Sequence, residues 1–185
     1  FTWANNNPSI GLGANGNGNI ASFTAATTGL LDNIANIDVI PSVNATGCVG
    51  PTESFQITIK NTTTADAGGP TDVICEGDDV NLNGSFGGDA SSAQWSSSGT
   101  GTFSPNTSDL NAVYTPSLDD ITSGNVILTL TTDDPIGPCP ANDSDINITI
   151  NPAVIVNAGS DVTICSNDIF TTQGSIGGSA TDSEW

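Results

Sequence analysis

The side chains of this chain that could do chemistry are carboxylates, four cysteines and three tryptophans. Its 185 residues include 20 Asp and Glu but only one basic side chain, Lys60, and no His, for a net charge of −19. Without histidine there is no Ser-His-Asp or Cys-His centre and no Cys/His zinc site. A single Lys cannot neutralise nucleic-acid phosphates, and it cannot bind the chain to an anionic membrane surface. These function classes are therefore excluded.

The carboxylates leave two interpretations open. Asp78, Asp79, Asp133 and Asp134 form two adjacent pairs near predicted turns, and oxygen ligands of this kind suit calcium. Alternatively, they are solvated charges that keep a long fibre soluble and self-repelling, which is the interpretation we prefer. No pattern selects two carboxylates for glycoside hydrolysis. We predict no catalytic residue, no enzyme activity and no cofactor, with these four residues as the candidates if calcium binds.

The chain repeats itself with a period of about 91 residues. Residues 75–95 align without gaps on residues 165–185, with 8 identities in 21 positions at an offset of 90. Phe55–Ile59 matches Ile146–Ile150, and Cys48 matches Cys139. We therefore predict the back of one repeat in residues 1–61, a complete repeat in 62–151 and the front of a third in 152–185. The chain is expected to be a window onto a longer tandem array.

Short alternating apolar runs predict strands. In the complete repeat they run through Val80 and Leu82, from Val126 to Leu130 and from Ile146 to Ile150, with shorter ones around Trp95, Phe103 and Tyr114. Roughly seven short strands in about 90 residues is typical of an immunoglobulin-like β-sandwich. The only helical signal is one turn at 117–121. The links between repeats, 60–64 and 151–152, are short, so an all-β, end-to-end rod is expected.

The cysteines also recur at fixed positions of the repeat. Each repeat has an early cysteine (Cys75, Cys165) and a late one (Cys48, Cys139). The simplest disulfide joins Cys75 to Cys139 within the complete repeat, so that Cys48 and Cys165 would pair with residues outside the chain. Two alternatives stay open, namely buried free thiols and a Cys48–Cys75 bond across the junction.

Trp3, Trp95 and Trp185 occupy the same repeat position. A residue that recurs at one strand position is expected to be a core anchor. An exposed tryptophan, by contrast, would stack on sugar rings and favour a carbohydrate-binding role.

Several runs resemble a known type of repeat. They are the stretches 72–78, 95–106, 114–117 and 127–135, together with 1–11 and 47–48. They are similar to the Ig-like and PKD-like repeats of very large cell-surface proteins of Bacteroidota, including gliding-motility adhesins. The resemblance covers essentially the whole chain. It implies export and display on the cell surface, and it carries over no catalytic residue.

Together these signals predict a non-enzymatic extracellular segment that forms the stalk or filament of a bacterial surface adhesin, serving gliding motility or surface attachment. The expected partners are neighbouring repeats, other copies in a filament and surface polysaccharide, with no nucleic acid and no membrane insertion. The alternatives are a carbohydrate- or calcium-binding module, and a spacer within a secreted multidomain enzyme.

Overall fold

Alternation of apolar and polar residues dictates the elements of this all-β chain, because strands expose successive side chains on opposite faces. The computed structural model describes residues 1–27, 31–43, 47–182 and 184. Within them the first strands are β1 (Thr2–Asn5), β2 (Asn15–Asn17), β3 (Asn33–Ile40), β4 (Ser42–Val43), β5 (Cys48–Val49), β6 (Glu53–Ile59), β7 (Thr64–Asp66), β8 (Thr71–Cys75) and β9 (Val80–Asn81). The later strands are β10 (Ser85–Gly87), β11 (Ala93–Ser97), β12 (Thr102–Ser104), β13 (Val113–Thr115), β14 (Asn125–Thr132), β15 (Asp143–Asn151), β16 (Ile155–Asn157) and β17 (Ser175–Gly177).

Helices are nearly absent from the described part of the chain. A 3-10 helix covers Pro8–Ile10, and one short α-helix, α1, covers Leu118–Ser123. Ser117 caps α1 through a capping box with Asp120, as expected for Ser followed three residues later by an acidic residue. The predicted single turn at 117–121 is therefore confirmed. No helix in the described ranges is long and apolar enough to cross a membrane.

The contacts divide the chain into two compact units. The first unit comprises Phe1–Thr64, Phe86–Ser92 and Thr132–Asn142. Its main sheet has the order β2-β1-β3-β6, and β4 pairs with β5 in a hairpin. The core of this unit is built on Trp3, Ile10, Leu12, Ala35 and Ile37.

The second unit comprises Ala65–Ser85, Ala93–Thr131 and Asp143–Trp185. Its sheets have the orders β11-β14-β15-β8 and β12-β13-β9, and β16 pairs with β17. Alternate residues of β14 and β15 supply the core, among them Val126, Leu128, Leu130, Ile146, Ile148 and Ile150. All the strands predicted in the complete repeat are present, with Val80 and Leu82 buried as expected.

The strand register repeats with the period found in the sequence. Ala35 of β3 faces Ile57 of β6, and Val126 of β14 faces Ile148 of β15, so that each residue of the second pair lies 91 positions after its counterpart. The residues of both pairs face a core, although Ile57 is only partly buried. The structure is therefore a tandem array of β-sandwich repeats. The boundaries at 61/62 and 151/152 stay a prediction.

Strand β8 was not among the predicted strands. It pairs with β15 in parallel, with Thr71 beside Asn147 and Cys75 beside Asn151. Its side chains are mostly exposed, and Val73 is 61% exposed. A strand of this kind carries no alternating burial signal, because its partner and not a core holds it in place.

Candidate functional site

Each early cysteine begins a tight turn closed by an aspartate. The backbone N–H of Cys75 donates to Asp78 Oδ2 at 3.2 Å, and the N–H of Asp78 donates back to the carbonyl of Cys75 at 3.0 Å. The same two bonds join Cys165 and Asp168, at 3.0 and 3.2 Å. Because Asp78 accepts from its own turn, its role in the described structure is to close that turn.

The predicted Cys75–Cys139 disulfide is absent from the structure, in which all four cysteines are free thiols: Cys48, Cys75 and Cys165 are exposed and Cys139 is half-buried. Strand β15 separates the two positions along the chain. Cys75 lies beside Asn151, the last residue of β15, whereas Cys139 precedes Asp143, its first residue, by four positions. The Cys48–Cys75 bond is not formed either.

Two of the three recurring tryptophans can be located, and both are buried. Trp95 is 2% exposed and Trp3 is 9% exposed. Neither indole N–H has a hydrogen-bond partner within the described part of the chain. Gly84 packs against the ring of Trp95, because a Cβ added there would stand 2.8 Å from Cζ2. Trp3 and Trp95 therefore do not present a stacking surface for sugars, and Trp185 lies outside the described residues.

Of the candidate calcium ligands, Asp79 and Asp134 are exposed. Asp133 is engaged in a loop instead, where its carboxylate accepts from the N–H and the hydroxyl of Ser91, at 2.8 and 2.6 Å, and from the N–H of Ser92 at 3.0 Å. The hydrogen bond from the Ser91 hydroxyl, with those from the two amides, holds the pKa of Asp133 below its usual value. No group of three potential metal-ligating side chains occurs among the described residues.

Lys60 is bound by two carboxylates of the first unit. Its Nζ lies 2.8 Å from Asp32 Oδ2 and 3.3 Å from Asp89 Oδ2. The hydrogen bond with Asp32, followed by that with Asp89, raises the pKa of the Lys60 ammonium. At position 151, one period later, the chain has Asn, so this ion pair is not part of the repeating pattern.

Among the described residues of the second unit, the most buried carboxylate is that of Asp120, which is 3% exposed. It accepts the N–H of Thr100 at 3.1 Å, the N–H of Gly101 at 3.0 Å, the Tyr114 hydroxyl at 2.9 Å and the N–H of Ser117 at 2.9 Å. These bonds join α1, the 98–101 turn and β13. Asp120 is thus the polar centre that links three segments of the repeat.

Burial alone would raise the pKa of Asp120, but the hydrogen bonds from Ser117, Tyr114 and Thr100 outweigh it and hold the pKa below its usual value. Burial, with the neighbouring Asp120 charge, raises the pKa of Tyr114, while a hydrogen bond with Ser97 opposes this rise. The phenol therefore stays neutral and donates to the carboxylate. The arrangement stabilises the fold and leaves no free nucleophile or base.

Sequence reasoning missed the role of Asp120. The sequence indicated a helical turn at 117–121, but the partners from Thr100, Gly101 and Tyr114 come from other segments. The pairing of β12 with β13 brings the residues just before β12 close to Tyr114.

Comparison with known proteins yields structural neighbours only. No family model and no curated protein matches the chain. Among solved structures, it is similar to human CDH23 EC21-23, with a TM-score of 0.46 and 12% identity, over 95% of this chain and 64% of that one. It is also similar to Protocadherin Gamma B2 extracellular cadherin domains 3-6, with a TM-score of 0.34 and 12% identity, over 71% of this chain and 36% of that one. The chain thus spans less than two thirds of the length of either neighbour.

Proposed function

We propose that this chain is a non-enzymatic, extracellular repeat segment that forms part of the stalk or filament of a large bacterial surface adhesin. The observation that carries the proposal is the recurrence of one strand register 91 residues apart, seen in the pairs Ala35–Ile57 and Val126–Ile148. Tandem repeats joined by short links place one unit after another along a chain. A segment of this kind extends a structure and holds its ends apart.

Two further features support this role over a ligand-binding module. The recurring side chains that could recognise a sugar, Trp3 and Trp95, are buried. The most buried carboxylate, Asp120, is saturated by internal donors. In the residues that the structure describes, repetition conserves packing positions and turns, as expected for a mechanical element.

The charge of the chain suits a surface that projects into solution. A net charge of −19 on 185 residues makes neighbouring copies repel one another and limits lateral clumping. The resemblance to Ig-like and PKD-like repeats of Bacteroidota surface proteins supports gliding motility or surface attachment as the process. The proposed partners are neighbouring repeats, other copies in a filament and surface polysaccharide.

The test is immunogold electron microscopy of intact source cells, with an antibody raised against this chain. We expect gold particles along filaments that project from the cell surface. The control is the same antibody after absorption with the purified chain, which should remove the label. Label confined to compact particles in the culture fluid would overturn the stalk proposal and favour a spacer within a secreted enzyme.

A further inference from the structure

The 91-residue period allows the surroundings of the early and the late cysteine to be compared from one repeat to the next. Cys75 lies at the end of β8, beside Asn151 in the parallel ladder with β15. The N–H of Glu76 donates to the carbonyl of Asn151 at 2.8 Å, and the Glu76 carboxylate accepts the N–H of Ala153 at 3.0 Å. The early cysteine of a repeat therefore lies beside the segment with which that repeat ends.

The first unit shows what else lies beside such a segment. The counterparts of Asn151 and Ala153, one period earlier, are Lys60 and Thr62. The next residue, Thr63, donates its hydroxyl to the carbonyl of Pro140 at 2.6 Å, and Gly137 lies beside the Lys60 side chain. The loop that carries Cys139 therefore contacts the end of the preceding repeat, and Cys139 is itself half-buried.

These two placements concern the same segment of the repeat. The early cysteine lies beside the end of its own repeat, and the late cysteine of the following repeat belongs to the loop that contacts that end. We infer that the early cysteine of each repeat forms a disulfide with the late cysteine of the next repeat, so that the bond links successive repeats covalently. This chain does not contain the partner cysteine that the inferred pairing would give to Cys48, Cys75, Cys139 or Cys165. The pairing is therefore consistent with four free thiols.

The bond forms by oxidation of two thiols, which release two protons and two electrons. Oxidised glutathione accepts them by thiol–disulfide exchange and is reduced to two molecules of glutathione. The inference concerns the link between repeats and does not rest on the proposed adhesin function. It requires only that two successive repeats are present under oxidising conditions.

The test compares the chain with a version that contains one complete junction. A second copy of residues 61–151 is inserted after Asn151, which preserves the period of 91 and gives six cysteines. Both proteins are equilibrated, dilute and monomeric, with oxidised and reduced glutathione, and their thiols are counted by alkylation and mass spectrometry. We expect four free thiols in the original chain, and four free thiols plus one disulfide in the extended chain.

Single substitutions identify the bond. Cys75→Ser in the first copy and Cys139→Ser in the second copy should each abolish the disulfide. The matched controls, Cys75→Ser in the second copy and Cys139→Ser in the first, should retain it. Two disulfides in the extended chain, or a different pairing, would overturn the inference. The original chain provides an independent test that needs no insertion, since a Cys75–Cys139 bond in it would also overturn the inference.

Discussion

Asp120 shows how one residue joins segments that are distant in the sequence. Its carboxylate is buried yet charged, and it is stabilised by donors from Ser117 (the N-cap residue of α1), from β13 and from the 98–101 turn. A buried carboxylate persists in a fold only when its hydrogen-bonding capacity is met in this way. Removing it should therefore cost more than removing an exposed carboxylate of the same helix.

We predict that Asp120→Ala lowers the free energy of unfolding by about 3 kcal/mol, because several buried donors lose their acceptor. Urea unfolding followed by intrinsic fluorescence measures the change. Asp119→Ala is the matched control, since Asp119 is exposed in the first turn of the same helix, and its effect should stay within about 0.5 kcal/mol. Equal effects of the two substitutions would contradict the role assigned to Asp120.

The lowered pKa of Asp120 also makes a prediction about pH. The folded state holds this carboxylate ionised more strongly than the unfolded state does. Its contribution to stability is therefore present at neutral pH and is lost as the pH falls below about 4, through the folded-state pKa. The stability difference between the original chain and Asp120→Asn should shrink between pH 7 and pH 3. A difference that does not change with pH would contradict this assignment.

At the scale of the elements, the strands with a core face were predictable and the parallel strand was not. Val126 to Leu130 and Ile146 to Ile150 alternate because one face of each strand is buried, and β14 and β15 follow that alternation. Strand β8 has little buried surface, so its place depends on the hydrogen bonds of β15.

The register of β8 can be tested with proline. Asn147 donates its N–H to the carbonyl of Pro70 at 3.0 Å, and in a parallel ladder its own carbonyl accepts the N–H of Asp72. The N–H of Val73 instead bonds the Asp72 side chain at 2.8 Å. We expect Asp72→Pro to destabilise the second unit by about 2–3 kcal/mol, whereas Val73→Pro, on the same exposed strand, should cost under half as much.

Hydrogen exchange of the Glu76 amide, which bonds Asn151, gives a local readout of the same ladder. Its protection should fall in Asp72→Pro and be largely kept in Val73→Pro. The reverse order of the two variants would place β8 in another register.

At the scale of the whole molecule, the main electrostatic feature is the large excess of acidic side chains. With 20 acidic residues and one lysine, the chain repels itself, and screening should relieve this repulsion. We predict that Tm rises by several degrees between about 20 and 500 mM NaCl. Calcium chloride at matched ionic strength should raise Tm no further, and EDTA should leave it unchanged. A calcium-specific increase would favour a metal site that includes Asp78, Asp79, Asp133 or Asp134.

The period, the strand faces and the class of fold were predictable from the sequence alone. Each of these depends on local or repeated patterns: glycine and asparagine at turns, β-branched alternation in strands and a tryptophan at one repeat position. The parallel direction of β8 against β15 and the set of donors around Asp120 appear only in the folded chain. Those features depend on which segments meet in space, and the free energy of such pairings comes from partners far apart in the chain.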